Sequence, residues 1–267
     1  MLRPRDTLTR ERRSLDGLWD FALDPEGVGR SEEWWGRAIP AAREAPVPAS
    51  YNDVFADASI RDHVGEVWYQ TVVRVPQRWA GERIVLRFDA ATHRGTVWLN
   101  GTQVVEHAGG YTPFEADVTE VVEVGAENRL TIAVDNRLNW ETIPPGRIAE
   151  TPDGPRQSYF HDFFNYAGLH RSVWLYTTPP SHIHDVTVVT GLDRDTGTVE
   201  YQIETAGGEP AEIRVALRDA EGTEVARGTG SSGRLAVEGV HPWRPGEGYL
   251  YELTVELRGQ GDATVDV

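Results

Sequence analysis

Apolar and polar residues alternate along most of the chain. In RIVLRFDA (83–90), Ile84, Leu86 and Phe88 fall on one face, with Arg83, Arg87 and Asp89 on the other. RLTIAVDN (129–136) repeats the pattern with Leu130, Ile132 and Val134. TVEYQIET (198–205) sets Val199, Tyr201 and Ile203 against Glu200, Gln202 and Glu204, and EIRVALRD and YELTVELR follow suit. A period of two places successive side chains on opposite faces, so each segment predicts a half-buried β-strand. TVWLNGTQVVE (96–106) reads as two strands joined at Asn100-Gly101, because both residues tolerate the positive φ of a two-residue hairpin turn. Helical periodicity is thin. SEEWWGRA (31–38) predicts one short helix, with Ser31 as N-cap and acids in the first turn.

Many short strands punctuated by Gly, Pro and Asn, spaced too closely for helical crossovers, predict an all-β sandwich or barrel. The length of 267 residues suits roughly two domains. TTPPSH (177–182) is the natural boundary, since its two prolines cannot continue a central strand. Texture changes there: eight of the nine tryptophans precede Pro179, and about six regular strands fill the ~85 residues after it, the size of an immunoglobulin-like sandwich. The expected domains are therefore residues 1–180 and 181–267. DATVDV, at the end, reads as a strand without a following turn. An immunoglobulin-like sandwich needs about seven strands, so the last is expected to be cut short and the chain to be a piece of something longer.

Composition removes several functions. The chain lacks cysteine and lysine, so disulfides and Cys-based metal sites are impossible. Net charge is −16, which argues against nucleic acid and anionic membranes as partners, because both need a basic footprint. MLRPRDTLTRERRSLDG has no apolar core of a secretory signal, and no apolar run approaches the ~20 residues of a membrane span, so a cytoplasmic location is expected. Asn100-Gly101-Thr102 fits a glycosylation sequon, but without a signal it reads as a turn.

Few motifs carry chemistry. G-x-S-x-G, the phosphate-binding P-loop and the dinucleotide-binding G-x-G-x-x-G are absent. His182 and His184 alternate on one strand face without an evident third ligand, and read as surface histidines rather than a metal site. No cofactor is expected. Carboxylates such as Glu200, Glu204, Asp219 and Glu256 fall on solvent faces or in turns. Asp162 differs. QSYFHDFFNYAGLHRSVWLY (157–176) holds seven aromatics, two histidines and this one carboxylate, without period-two order until RSVWLY. Irregular segments between strands are where all-β folds place binding sites. Aromatic rings there suit the C–H faces of sugars and Asp162 suits their hydroxyls. The alternative is a structural loop whose rings, among them Tyr159, Phe160, Phe163, Phe164 and Tyr166, plug the end of a sandwich.

The string QSYFHDFFNYAGLHRSVWLYTTP strongly resembles the β-glucuronidases of glycoside hydrolase family 2, bacterial members most of all. Further likeness runs through VPASYNDVFADASIRDHVGEVWYQ, WAGERIVLRFDAATHRGTVWLNG, EHAGGYTPFEADVT, LNWETIPPG and WRPGEGYLYEL. YFHDFFNYAGLHR is the string specific to glucuronidases; the shorter ones are shared with relatives such as β-galactosidases. The resemblance implies a jelly-roll (galactose-binding-like) sugar-binding domain followed by an immunoglobulin-like sandwich, with the family's C-terminal TIM barrel absent. In the family both catalytic carboxylates lie in that barrel, so no catalytic residue is expected here. The barrel's Asn-Glu pair and Arg-x-x-His-Tyr-Pro pattern do not occur, nor can its Asn-x-Lys pair without lysine. By motif match Asp162 is the substrate-binding residue, reaching a sugar hydroxyl, while Phe160 and His161 shape the same loop. The implied function is the non-catalytic N-terminal region of a β-glucuronidase, with a β-glucuronide as partner and a homotetramer as the full-length state. A free-standing carbohydrate-binding module and a structural or assembly unit are the alternatives.

Overall fold

Alternation becomes strand throughout. The computed structural model describes residues 2–152, 154–162, 164–208 and 212–267, and they form two compact units. One unit is Arg13–Tyr176. The other is Thr177–Val267 together with the N-terminal segment through Arg12. No helix among the described residues is long and apolar enough to cross a membrane.

The first unit is the jelly-roll sandwich. Its chain runs through β1 (Arg12–Ser14), β2 (Gly17–Leu23), β3 (Arg43–Val47), β4 (Glu66–Arg74), β5 (Arg83–Phe88) and β6 (Arg94–Leu99). It continues through β7 (Thr102–Ala108), β8 (Phe114–Asp117), β9 (Glu127–Asp135), β10 (Gly146–Thr151), β11 (Gly154–Tyr159) and β12 (Val173–Thr178). Six strands pair in the order β3-β2-β4-β9-β6-β7 and four in the order β1-β12-β5-β8. Phe21, Tyr69 and Ile132 from the first sheet meet Leu86, Phe88 and Val173 from the second in one buried core. Each such side chain contributes about 1.5–3 kcal/mol by leaving water. The hairpin at Asn100-Gly101 forms as its sequence dictates: φ is 50° and 85°, and β6 and β7 pair on either side. The Asn100 amide donates to Asn128 Oδ1 at 2.7 Å and accepts from the Arg129 backbone N–H at 3.0 Å, which ties the turn to β9.

Two expectations fail here for one reason. SEEWWGRA forms only a 3₁₀ turn at Trp34–Gly36, and the Ser31 hydroxyl donates to the Val28 carbonyl instead of capping a helix. Two short helices form elsewhere, α1 (Tyr51–Val54) and α2 (Ala58–Arg61). The central strands are also buried on both faces rather than half-buried. Trp34 and Trp35 fold back over the outer side of the six-stranded sheet and pack with Trp68 and Trp98. Trp35 stacks on Trp98 with centroids 4.7 Å apart and planes within 5°. Buried Asp24 holds the cover down, accepting from the backbone N–H groups of Val28 (2.8 Å) and Gly29 (2.9 Å) and from Trp68 Nε1 (3.2 Å). Stacking on a tryptophan face outweighs the weak helix preference of so short a segment.

The second unit is the immunoglobulin-like sandwich. Its strands are β13 (His182–Asp193), β14 (Thr196–Ala206), β15 (Glu212–Arg218), β16 (Glu224–Thr229), β17 (Ser232–Val237), β18 (Glu252–Arg258) and β19 (Thr264–Asp266). They pair as β13-β14-β17 and β16-β15-β18-β19. Tyr201, Ile203 and Leu235 from one sheet pack on Val215, Leu217 and Leu257 from the other. This is the alternation read from the sequence.

The segment 177–183 is not the exposed linker its prolines suggested. Thr177, Thr178, His182 and Ile183 are all buried. Thr177 N–H donates to the Glu11 carbonyl at 2.8 Å, so the N-terminal segment runs alongside. The segment ends on Asp266, which is fully buried. Its carboxylate accepts from Arg10 Nε (2.8 Å), from the Arg10 guanidinium tip, from the Thr9 hydroxyl (2.9 Å) and from the Ile183 backbone N–H (2.8 Å). His182 also departs from expectation: it is buried, and its Nδ1 lies 3.1 Å from the Pro180 carbonyl.

Candidate functional site

The aromatic loop, 160–172, leaves β11 and enters β12. Hairpin β10–β11 starts it, with Gly146 opposite Tyr159. The Phe160 N–H then donates to the Pro145 carbonyl at 3.0 Å, which turns the chain out of the hairpin. Phe160, His161 and Asp162 follow at the exposed crest. No described group bonds the Asp162 carboxylate, in contrast to Asp24 and Asp266. Phe160 packs at 4.9 Å from Trp140, itself 79% exposed. Tyr159, Phe164 and Tyr166 form a second, edge-on row, at 6.1 and 5.3 Å. Phe163 lies outside the described residues. The three residues expected at the site thus sit together, and Trp140 and Ile143 from the 137–145 segment add exposed apolar surface beside them.

The crest is exposed, but its base is not. Asn165 is buried; its amide donates to the Asn136 carbonyl at 3.1 Å, leaving its oxygen to accept from His93 Nε2 at 2.6 Å. Asn136 in turn donates to the His63 carbonyl (2.7 Å) and to the Tyr51 hydroxyl, and accepts from Gly65 N–H (2.9 Å). Asn52 on α1 accepts from Ala167 N–H at 2.8 Å and donates to the Arg61 carbonyl at 2.6 Å. Gly168 has φ of +100°, and a Cβ there would collide with the Tyr69 hydroxyl, so only glycine passes. Burial lowers the pKa of His63, His93 and His170 and raises that of Tyr51. All four therefore stay neutral near pH 7.

Two clefts flank the loop. One, of about 560 Å³, is lined by Asn52, Arg61, Asp62, Arg156, Tyr159 and Phe164. The other, of about 580 Å³, is lined by His93, Tyr111, Arg137, Asn139, Glu141 and Ile143. The chemistry on offer is recognition: rings for C–H faces, and a charged acceptor for hydroxyls. Sequence reasoning missed the whole supporting layer. Asn52, Asn136 and Asn165 carry no pattern that separates a buried amide from a turn residue, and Trp140 gave only a family string.

The comparisons agree with a sugar-binding surface. Residues 12–179 match the family "Glycosyl hydrolases family 2, sugar binding domain", and residues 181–267 match "Glycosyl hydrolases family 2". A β-glucuronidase of Paenibacillus borealis is 50% identical over 96% of this chain, and one of Canis lupus familiaris is 46% identical over 97%. The chain spans 44% of the length of each. Among solved structures, the β-glucuronidase of Ruminococcus gnavus superposes with a TM-score of 0.94 at 36% identity, covering 99% of this chain and 45% of that one. That of Lactobacillus rhamnosus gives 0.93 at 37% identity. With the sugar-binding profile matching most of the chain and the second profile the rest, this chain belongs to glycosyl hydrolases family 2.

Proposed function

We propose that residues 1–267 form the sugar-binding and immunoglobulin-like region of a β-glucuronidase, with the hydrolytic carboxylates in a further domain. Asp162 accepts a hydrogen bond from a hydroxyl of the β-glucuronide, and Phe160 and His161 shape the rim around it. The observation that carries this reading is the Asp162 carboxylate, exposed and without a partner at the crest of a loop whose base is fully bonded. An acceptor left open on a fixed support suits a ligand better than it suits loop packing. Support also comes from the relatives named β-glucuronidase and from the Ruminococcus gnavus structure solved with D-glucuronic acid. Glycoside hydrolysis needs two carboxylates in opposed roles across one bond. The 157–176 segment supplies one. The whole protein is proposed to be a cytoplasmic homotetramer.

Residues 1–267 alone should not turn over an aryl β-D-glucuronide, whereas the polypeptide carrying the catalytic domain should. Turnover by purified 1–267 above a mock preparation would overturn the non-catalytic assignment. In the longer polypeptide, Asp162→Asn should lower kcat/KM by about 10- to 150-fold, since a hydrogen bond to a charged acceptor contributes about 1.5–3 kcal/mol. Asn keeps an acceptor oxygen, so the lower half of that range is expected, and Asp162→Ala should cost more. Tm should not move. An unchanged kcat/KM with a depressed Tm would make Asp162 loop scaffolding.

A further inference from the structure

Both ends of the loop's base are held by two consecutive residues, Thr92 and His93, in the connection between β5 and β6. Hydrogen-bond directions fix the state of every group involved. The Asn165 amide already donates to Asn136, so its oxygen is the acceptor and His93 Nε2 carries the proton between them. The Thr92 hydroxyl donates to the Gly110 carbonyl at 3.0 Å. Its lone pairs remain for His170, whose Nδ1 lies 2.8 Å away and must be the donor. The backbone closes the same seam: Thr92 N–H donates to the Gly168 carbonyl at 3.1 Å. Each histidine is then left with one bare nitrogen, Nδ1 of His93 and Nε2 of His170. Both are buried, and neither finds a partner among the described residues. At His93 the space is closed by the 109–112 turn, where a Cβ on Gly110 would come within 3.0 Å of Nδ1.

We propose that Thr92, His93 and His170 are positioning residues that clamp the Asp162 loop, and that the clamp opens on acidification. This rests on the assignment of Asp162 to the substrate. Protonation of either bare nitrogen would bury a cation whose new N–H has no acceptor. The surrounding charges do not rescue it. The carboxylate acting on His93 is Asp135 of β9, and that carboxylate is already paired with Arg137 at 2.9 Å. Arg94 follows His93 in β6, and His107, beside Gly109, is bonded to Thr112. Arg171 and His93 both oppose a charge on His170, whose remaining neighbour is the Tyr111 ring at 5.2 Å. Both histidines have folded-state pKa values below 6.5 because of burial. The opened loop binds protons more readily than the closed one, so the clamp is at full strength above about pH 6.5 and weakens as pH falls below it. The consequence for the site is that Asp162 loses its placement in acid while the sandwich core stays folded.

The test uses backbone amide hydrogen exchange on the 267-residue chain, corrected for the intrinsic rate, together with histidine side-chain nitrogen NMR. At pH 7.5 His93 should be protonated on Nε2 and His170 on Nδ1; the opposite tautomers would overturn the clamp. From pH 7.5 to 5, protection of residues 164–170 relative to β4 and β9 should fall by up to about 30-fold for each histidine that regains its ordinary pKa on opening. His93→Gln keeps an amide donor for Asn165 and does not titrate. It should hold the loop at both pH values with a smaller drop, whereas His93→Ala should lose protection at both. Equal, pH-independent protection in the wild type would overturn the proposal. A loop that opens in acid in a protein whose kcat/KM ignores Asp162→Asn would keep the clamp and reject the sugar contact, so the two failures are distinguishable.

Discussion

The first unit and the second face the same task, closing a two-sheet sandwich, and use different means. The second unit relies on alternation alone: Ile203, Val215 and Leu257 point inward, with charged residues such as Glu204, Arg214 and Glu256 between them. The first buries its six-stranded sheet on both faces, with a tryptophan cover outside, and then sets buried asparagines and histidines under an irregular loop. A sheet with one wet face can be built from pattern. A surface that must present one carboxylate in a fixed place needs its non-repeating backbone bonded group by group. The extra polar interior of the first unit is the cost of holding a site.

That comparison can be broken by mutation. The largest effect is expected at Trp68, which is fully buried between Trp34 and Trp98. Trp68→Ala should destabilise the first unit by about 3–5 kcal/mol, read from chemical denaturation with probes in each unit. The second unit's transition should stay in place. If both shift together, the units do not fold separately and the contrast between them dissolves. Next comes Asp266→Ala, which strips the buried Arg10 guanidinium of its carboxylate. It should destabilise the second unit by about 3 kcal/mol, the low end of the range for a broken buried pair, because Arg10 keeps the Ile183 carbonyl. That carbonyl lies 2.8 Å from Arg10. A loss confined to the first unit would show that the N-terminal segment is assigned to the wrong partner. The smallest effect is expected at the hairpin. Asn100→Gly keeps the positive φ but removes the side-chain bonds to Asn128 and Arg129, and a loss of about 1 kcal/mol should appear in the first unit's transition. No loss would mean that backbone conformation alone sets this turn.

How far the sequence could be read follows from the same contrast. Leu130, Ile132 and Val134, and Val199, Tyr201 and Ile203, announced their strands because period two is a local signal. Asn100-Gly101 announced its hairpin because two positive φ angles are also local. Trp34 and Trp35 misled, because what they cover, Trp68 and Trp98, is distant in sequence and stacking on it overrode the apparent helix cap. Pro179 and Pro180 misled for a similar reason: prolines break strands, but nothing local reveals that Glu11 lies against Thr177. Asp162, Phe160 and His161 stood out by composition and resemblance. Their support did not, since Asn165, His93 and Thr92 acquire roles only from one another.

The bonds at Asp266 have a consequence for the order of assembly. Thr9 and Asp266 are 257 positions apart and belong to one unit, so residues 13–176 are, in connectivity, an insertion within the second sandwich. During synthesis the inserted unit has all its strands once Tyr176 is available. The host unit must wait for its last strand. At about 5–20 residues per second, the stretch from Thr177 to Asp266 takes roughly 5–20 s to make. For that interval Thr9, Arg10 and the rest of the leading segment have no carboxylate to bind. The loop already closed by the folded insert shortens the effective tether between the ends. The nascent chain thus finishes its ligand-bearing half first, and ties its own beginning to its end last.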